Sequence, residues 1–227
     1  MIKKMLGSYI EPAKENVHHR YRSWVHCYNY FKENHAELHT EAVQDVAALH
    51  LGFYLASLDM MGERSKLLQV DYRIHLNFIK KVVADPEYHF YYTEEGRKMV
   101  KPDGVADLLD LMEVTRECYE PHIKASDTLV TKILSGVFGC IPAYDRYLIR
   151  GLTLNDLSSS LTVDSLNVLV EFFKEYEEEF TPFIQHSLPE MRFLDIYFWQ
   201  CGKWEEEAVA RQMQEQSLIE KSLSPVQ

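Results

Sequence analysis

Glycine and proline are scarce in this chain of 227 residues, with 9 and 8 copies, below the average combined usage of about 12%. So few turn formers exclude an architecture of many short strands joined by tight turns and leave room for long helices. Cysteine is sparse too. Cys27, Cys118, Cys140 and Cys201 stand far apart with no CxxC pair, which removes the zinc-knuckle spacing and favours reduced, buried thiols over a disulfide framework. Long apolar runs are missing. The best stretch, VAALHLGFYLASLDMM over 46–61, is too short to cross a bilayer and carries His50 and Asp59. Residues 1–10 contain charges and no apolar segment of the kind a secretory signal needs. The expectation is a cytoplasmic protein with no membrane partner. Nucleophile elbows, phosphate-binding glycine loops and HExxH are absent as well, so the enzyme classes those motifs mark have no support here.

What is present is bulk and acid. The chain holds 14 Tyr, 11 Phe and 3 Trp within a composition that is 46% hydrophobic and 26% charged, which predicts a globular domain with an aromatic core. The net charge is −11 and unevenly spread. Residues 171–227 carry 12 acidic and 5 basic side chains, whereas residues 1–32 carry 6 basic and 2 acidic. Such a molecule repels a phosphate backbone at long range, so any nucleic-acid contact has to be local.

The apolar spacing is helical almost throughout. Steps of three and four at Val17, Tyr21, Trp24, Val25, Tyr28 and Phe31 predict a helix over 13–33, with Pro12 in its first turn. A second helix is expected over 35–62, apolar on every side from Val46 and therefore central. A third fits 66–84 and stops before Pro86. The irregular stretch 86–104 reads as an aromatic-anchored loop, with a minor strand near 88–92 as the alternative. Asp103 heads a helix to Tyr119, and Ser126 or Asp127 heads the next. Residues 161–180 form an amphipathic helix whose Glu-rich end is misplaced for the macrodipole. A last core helix runs over 189–202, ended by Gly202. The reading is all-α: one compact orthogonal bundle of about seven or eight helices over 1–202, then a polar, acidic helical tail over 203–227.

One stretch breaks the pattern. In TKILSGVFGCIPAYDRYLIRGL, 131–152, a helix reaches a small-residue turn, a Pro-Ala pair follows, and Asp145 precedes the next apolar repeat. With Lys132, Phe138-Gly139, Pro142-Ala143 and Asp145, the segment resembles that of helix-hairpin-helix DNA glycosylases of the endonuclease III type. The resemblance implies that Asp145 sits at a helix N-terminus facing the sugar of a flipped nucleotide, which makes it the catalytic candidate. It covers about a tenth of the chain. The hairpin glycines of that family are missing from ASDTLVTKI, 125–133, and no four-cysteine cluster pattern follows. The plain alternative is that Pro142 opens a helix and Asp145 supplies a first-turn charge.

Three further groups carry chemistry. His35 and His39, four apart, with His50 three turns on, would share a helical face and form the alternative to having no metal site. HHRYRSWVHCYNYFK, 18–32, interleaves Arg20 and Arg22 with Trp24, a pattern suited to phosphates and stacked bases, though Trp24 also lies on the apolar face. Asp195, among large apolar residues, needs a partner such as Arg192, Arg146 or Arg150. The candidate binding residues, taken together, are Lys132, Tyr144, Arg146, Arg150, Arg20, Arg22, Trp24 and Asp195, with no cofactor; whether Asp195 and Asp145 share a cleft is left to the fold. The functional expectation is a nucleobase or nucleic-acid end bound beside Asp145. The alternative is a non-catalytic module that meets a protein partner, and less favoured is a metal-binding bundle.

Overall fold

The computed structural model describes residues 1–19, 21–62, 66–98, 104–184 and 188–223. Among them there are helices and turns and no strand. The α-helices are α1 (Ile2–Glu15), α2 (Arg22–Asn34), α3 (Glu41–Ser57), α4 (Leu76–Phe78), α5 (Glu94–Arg97), α6 (Gly104–Glu117), α7 (Asp127–Val137), α8 (Arg146–Leu154), α9 (Val163–Glu175), α10 (Glu177–Ile184) and α11 (Glu190–Leu223). An all-α bundle around one aromatic-rich core is the result, with Tyr28, Tyr54, Tyr119, Phe138 and Phe198 among its fully buried side chains.

Several elements differ from the sequence expectation, each for a local reason. The helix expected over 13–33 starts only at Arg22. Ahead of it, Ile2, Met5, Leu6 and Ile10 bury one face of α1, and Pro12 falls in the last turn of that helix instead of opening a new one. Val17 stays exposed in the connecting turn. The segment 66–84 is a chain of short turns: 3₁₀ at Lys66–Gln69 and Tyr72–His75, α4, then a π-helical Ile79–Val83. Residues 88–92 lie in a 3₁₀ run, Pro86–Tyr92, capped by the Asp85 carboxylate on the Glu87 N–H and anchored by buried Tyr91 and Tyr92. The expected cap at Asp103 lies outside the described residues.

The helix expected over 161–180 is two helices. It ends at Glu175 and restarts at Glu177, so Glu177, Glu178 and Glu179 fall in the first turn of α10. There they complement the helix dipole, and the misplacement expected from sequence disappears. Helix α3 is shorter than expected and is not buried on every side. Val46, Leu49 and Phe53 are exposed, Phe53 by 71%.

The change that matters most for the site is in α11. Gly202 does not end it; the helix runs to Leu223. Gly202 instead lets α11 touch α8 backbone to backbone. A Cβ on Gly202 would lie 2.0 Å from Tyr147 O, and one on Gly151 of α8 would lie 1.8 Å from Phe198 O. Two glycines on facing helices therefore remove the side chains that would hold the axes apart. The head of α8 is thereby set against the middle of α11.

Candidate functional site

Helix α7 is capped by Ser126, whose Oγ accepts the Leu129 N–H, and is buried from Leu129 to Val137. Its end is made by Gly139, whose φ of +67° lies in the left-handed region that favours glycine, and whose N–H donates to Leu134 O at 3.0 Å. Cys140 to Tyr144 then cross the core without helix. Pro142 belongs to this crossing and does not open α8, which starts at Arg146. Two hydrogen bonds pin the crossing: Ala143 N–H donates to Asp195 Oδ1 at 3.0 Å, and Tyr144 N–H donates to Thr131 Oγ1 at 2.9 Å.

Asp145 is the N-cap of α8. Its Oδ1 accepts the N–H groups of Tyr147 and Leu148 at 3.0 and 3.1 Å. Its Oδ2 lies 3.7 Å from Lys132 Nζ, which also donates to Leu58 O at 3.4 Å. Lys132 is only 6% exposed although it is a lysine on a buried helix, so these two oxygens supply the polar surroundings that an interior ammonium requires.

Asp195 finds its partner on its own helix. Arg192 Nη1 bonds Asp195 Oδ2, Arg192 Nη2 donates to Tyr9 Oη at 2.6 Å, and the guanidinium lies 4.7 Å from the Trp24 ring centre. Burial raises the Asp195 carboxyl above its ordinary value; the Arg192 charge opposes this, and the charge of nearby Asp145 adds to it. Burial likewise pushes the Tyr9 phenol up to about 12.

These groups open onto two connected spaces. The inner one, with about 60 Å³ free, is bounded by Tyr54, Trp24, Arg192 and Asp195 and has room for a few waters. The outer one, with about 830 Å³ free, is bounded by Leu58, Asp59, Arg146, Tyr147 and Lys203. Lys132, Asp145, Tyr21 and Trp199 line both. The wall is aromatic: Tyr9 stacks on Tyr21 at 4.2 Å, and Trp199 meets Tyr21 and Tyr147 edge-on at 5.7 and 5.3 Å.

Of the residues selected from sequence, Asp145, Lys132, Arg146, Trp24 and Asp195 line this cleft. Arg150 lies one turn along α8 and pairs with Glu205. Tyr144 is buried in the core and lines neither space. Arg22 donates to Ala13 O and lines neither space; it borders a hollow among α1, α2 and α11 that shares Tyr9, Tyr21, Trp24 and Arg192 with the inner one. Arg20 lies outside the described residues. The helical face expected for His35 and His39 is not formed. His35 sits in a 3₁₀ turn stacked on Tyr92, His39 bonds Ala36 O ahead of α3, and His50 stacks on Tyr30 at 4.0 Å. Among the described residues, no three His, Cys, Asp or Glu side chains are grouped to hold a metal ion. No described helix is long and apolar enough to cross a membrane.

Sequence reasoning missed Tyr9, Tyr21, Tyr54, Trp199 and Lys203 as site residues. The signal for part of this set was there: Arg192, Asp195, Trp199 and Lys203 follow one another by three and four, a single stripe of α11. No family model, no curated protein and no solved structure matches the chain.

Proposed function

We propose that the cleft beside Asp145 receives a nucleobase, free or at the end of a nucleic acid. One observation carries the reading: Asp145 and Lys132, from the head of α8 and from buried α7, reach an outer space of about 830 Å³ whose aromatic walls are Tyr21, Tyr147 and Trp199. Flat aromatic walls suit a planar heterocycle, and fixed carboxylate and ammonium groups at its edge suit ring nitrogens and exocyclic groups. The inner space is too small for a ring, so the base occupies the outer space and directs its polar edge at Lys132 and Asp145. The same reading takes 131–152 as a remote relative of the helix-hairpin-helix glycosylase segment, with Asp145 heading α8.

The test is a tryptophan-emission titration with the common nucleosides and a short single-stranded oligonucleotide. A saturable change with at least one of them, lost in Asp145→Asn, supports the reading. No saturable response to any of them ends it.

A second reading, a non-catalytic interaction module, is favoured by one observation of its own. Val46, Leu49 and Phe53 form an exposed apolar stripe along α3, and such stripes mark contact surfaces. Its measure is mass in solution, where a strict monomer that captures no partner argues against it.

A further inference from the structure

The cations of the cleft are all matched. Lys132 faces Asp145 at 3.7 Å, Arg192 pairs with Asp195, Arg146 lies 3.2 Å from Glu206, and Lys203 lies 3.7 Å from Glu207. The next arginine along α8, Arg150, is held by Glu205 through both its Nε and its Nη2. Asp59 adds a further carboxylate at the rim of the outer space. Five cations therefore meet six carboxylates.

The match comes from three consecutive residues standing behind the lining: Glu206 and Glu207 hold the lining cations Arg146 and Lys203, and Glu205 holds Arg150 one turn further along α8. All three follow Lys203-Trp204 on α11. This works because α11 continues past Gly202 along the head of α8. The Arg146–Glu206 contact is exposed and weak, and half-buried Lys203 is shared among Glu207, the Tyr21 hydroxyl at 3.3 Å and the Trp199 ring, so a ligand phosphate can draw either cation from its glutamate. The glutamates do not leave, however. They stay within a few ångströms on a helix, and the local potential has no positive surplus to offer a phosphate. The chain's net charge of −11 works in the same direction.

We infer that the cleft selects an uncharged ligand, a free nucleobase or a nucleoside, and that the Glu205–Glu207 triplet rejects the phosphate-bearing forms of the same base. The inference rests on the nucleobase reading above and narrows it: a nucleic-acid end is the disfavoured form. The aromatic lining is compatible with it, since Tyr21 and Trp199 act on a ring whether or not a phosphate follows.

The experiment is isothermal titration calorimetry at low salt. It compares one base as nucleoside and as 5′-monophosphate, on the wild-type chain and on the triple variant Glu205→Gln, Glu206→Gln, Glu207→Gln. The expected result is nucleoside binding at least about tenfold tighter than monophosphate on the wild type, about 1.4 kcal/mol, and a ratio that collapses toward one on the variant. A monophosphate that binds the wild type as tightly as the nucleoside overturns the inference and leaves the nucleobase reading standing. Absence of binding by both forms overturns the two together. A ratio that stays near tenfold on a folded variant overturns the triplet's part in the selection, and the single variant Glu206→Gln, at an exposed contact, makes the same comparison should the triple variant fold poorly.

Discussion

Lys132 Nζ lies 3.7 Å from Asp145 Oδ2, joining a buried helix to the head of the helix that follows it. The contact gives Asp145 two tasks. One oxygen caps α8, and the other faces the ammonium at the junction of the two spaces.

The two tasks separate by substitution. Asp145→Asn keeps a good cap and loses the charge, whereas Asp145→Ala loses both. Urea unfolding should show Asp145→Ala less stable than Asp145→Asn by about 1 kcal/mol, the usual worth of a cap. Equal stabilities would mean that the cap contributes nothing here.

The Arg192–Asp195 pair is buried at both ends, with side chains only 10% and 4% exposed. Removing either partner leaves an unmatched interior charge. Arg192→Leu or Asp195→Leu alone should cost about 3–5 kcal/mol, and the double variant clearly less than their sum. A double-mutant cycle by chemical denaturation checks it; additive losses would contradict the pairing.

His75 sets a pH dependence. It is fully buried, its Nδ1 is 2.9 Å from Tyr119 Oη, and its Nε2 has no hydrogen-bond partner among the described residues. Burial lowers its pKa from the ordinary 6.5 to about 4. Folding therefore favours the neutral ring: the contribution is complete above pH 6.5 and is lost as pH falls from 6.5 to about 4. Between about pH 8 and pH 5 the wild type should lose about 2 kcal/mol from this group. His75→Phe should be flatter by that amount in urea titrations at the two pH values.

How far the sequence was readable follows from which signals are local. The glycine-ended α7 was legible, because left-handed turns are written within a few residues, whereas Asp145, expected as a first-turn charge behind Pro142, is the N-cap itself. The amphipathic face Leu166, Leu169, Val170 and Phe173 was legible for the same reason. Gly202 was not, since a glycine that ends a helix and one that admits a neighbouring backbone look alike without the neighbour. The aromatic wall was hidden too. Tyr9, Tyr21 and Trp199 arrive from α1, from the residue ahead of α2 and from α11, and only tertiary packing brings them to Asp145.

Gly202 supplies a test of the α8–α11 contact. In an ordinary helix interior, Gly→Ala gains about 1 kcal/mol. Here the added methyl would meet Tyr147 O and the Gly151 N, so Gly202→Ala should instead lose about 2 kcal/mol or more and lower the melting temperature. A stabilised variant would show that the helices are not in backbone contact.

The central claim is that the cleft beside Asp145 holds a base between aromatic walls. A crystal grown with the tightest nucleoside tests it most directly. The account predicts ring density in the outer space against Trp199 and Tyr21, with its polar edge within hydrogen-bond reach of Asp145 or Lys132. A nucleoside bound elsewhere on the molecule, with this cleft holding only water, would contradict it.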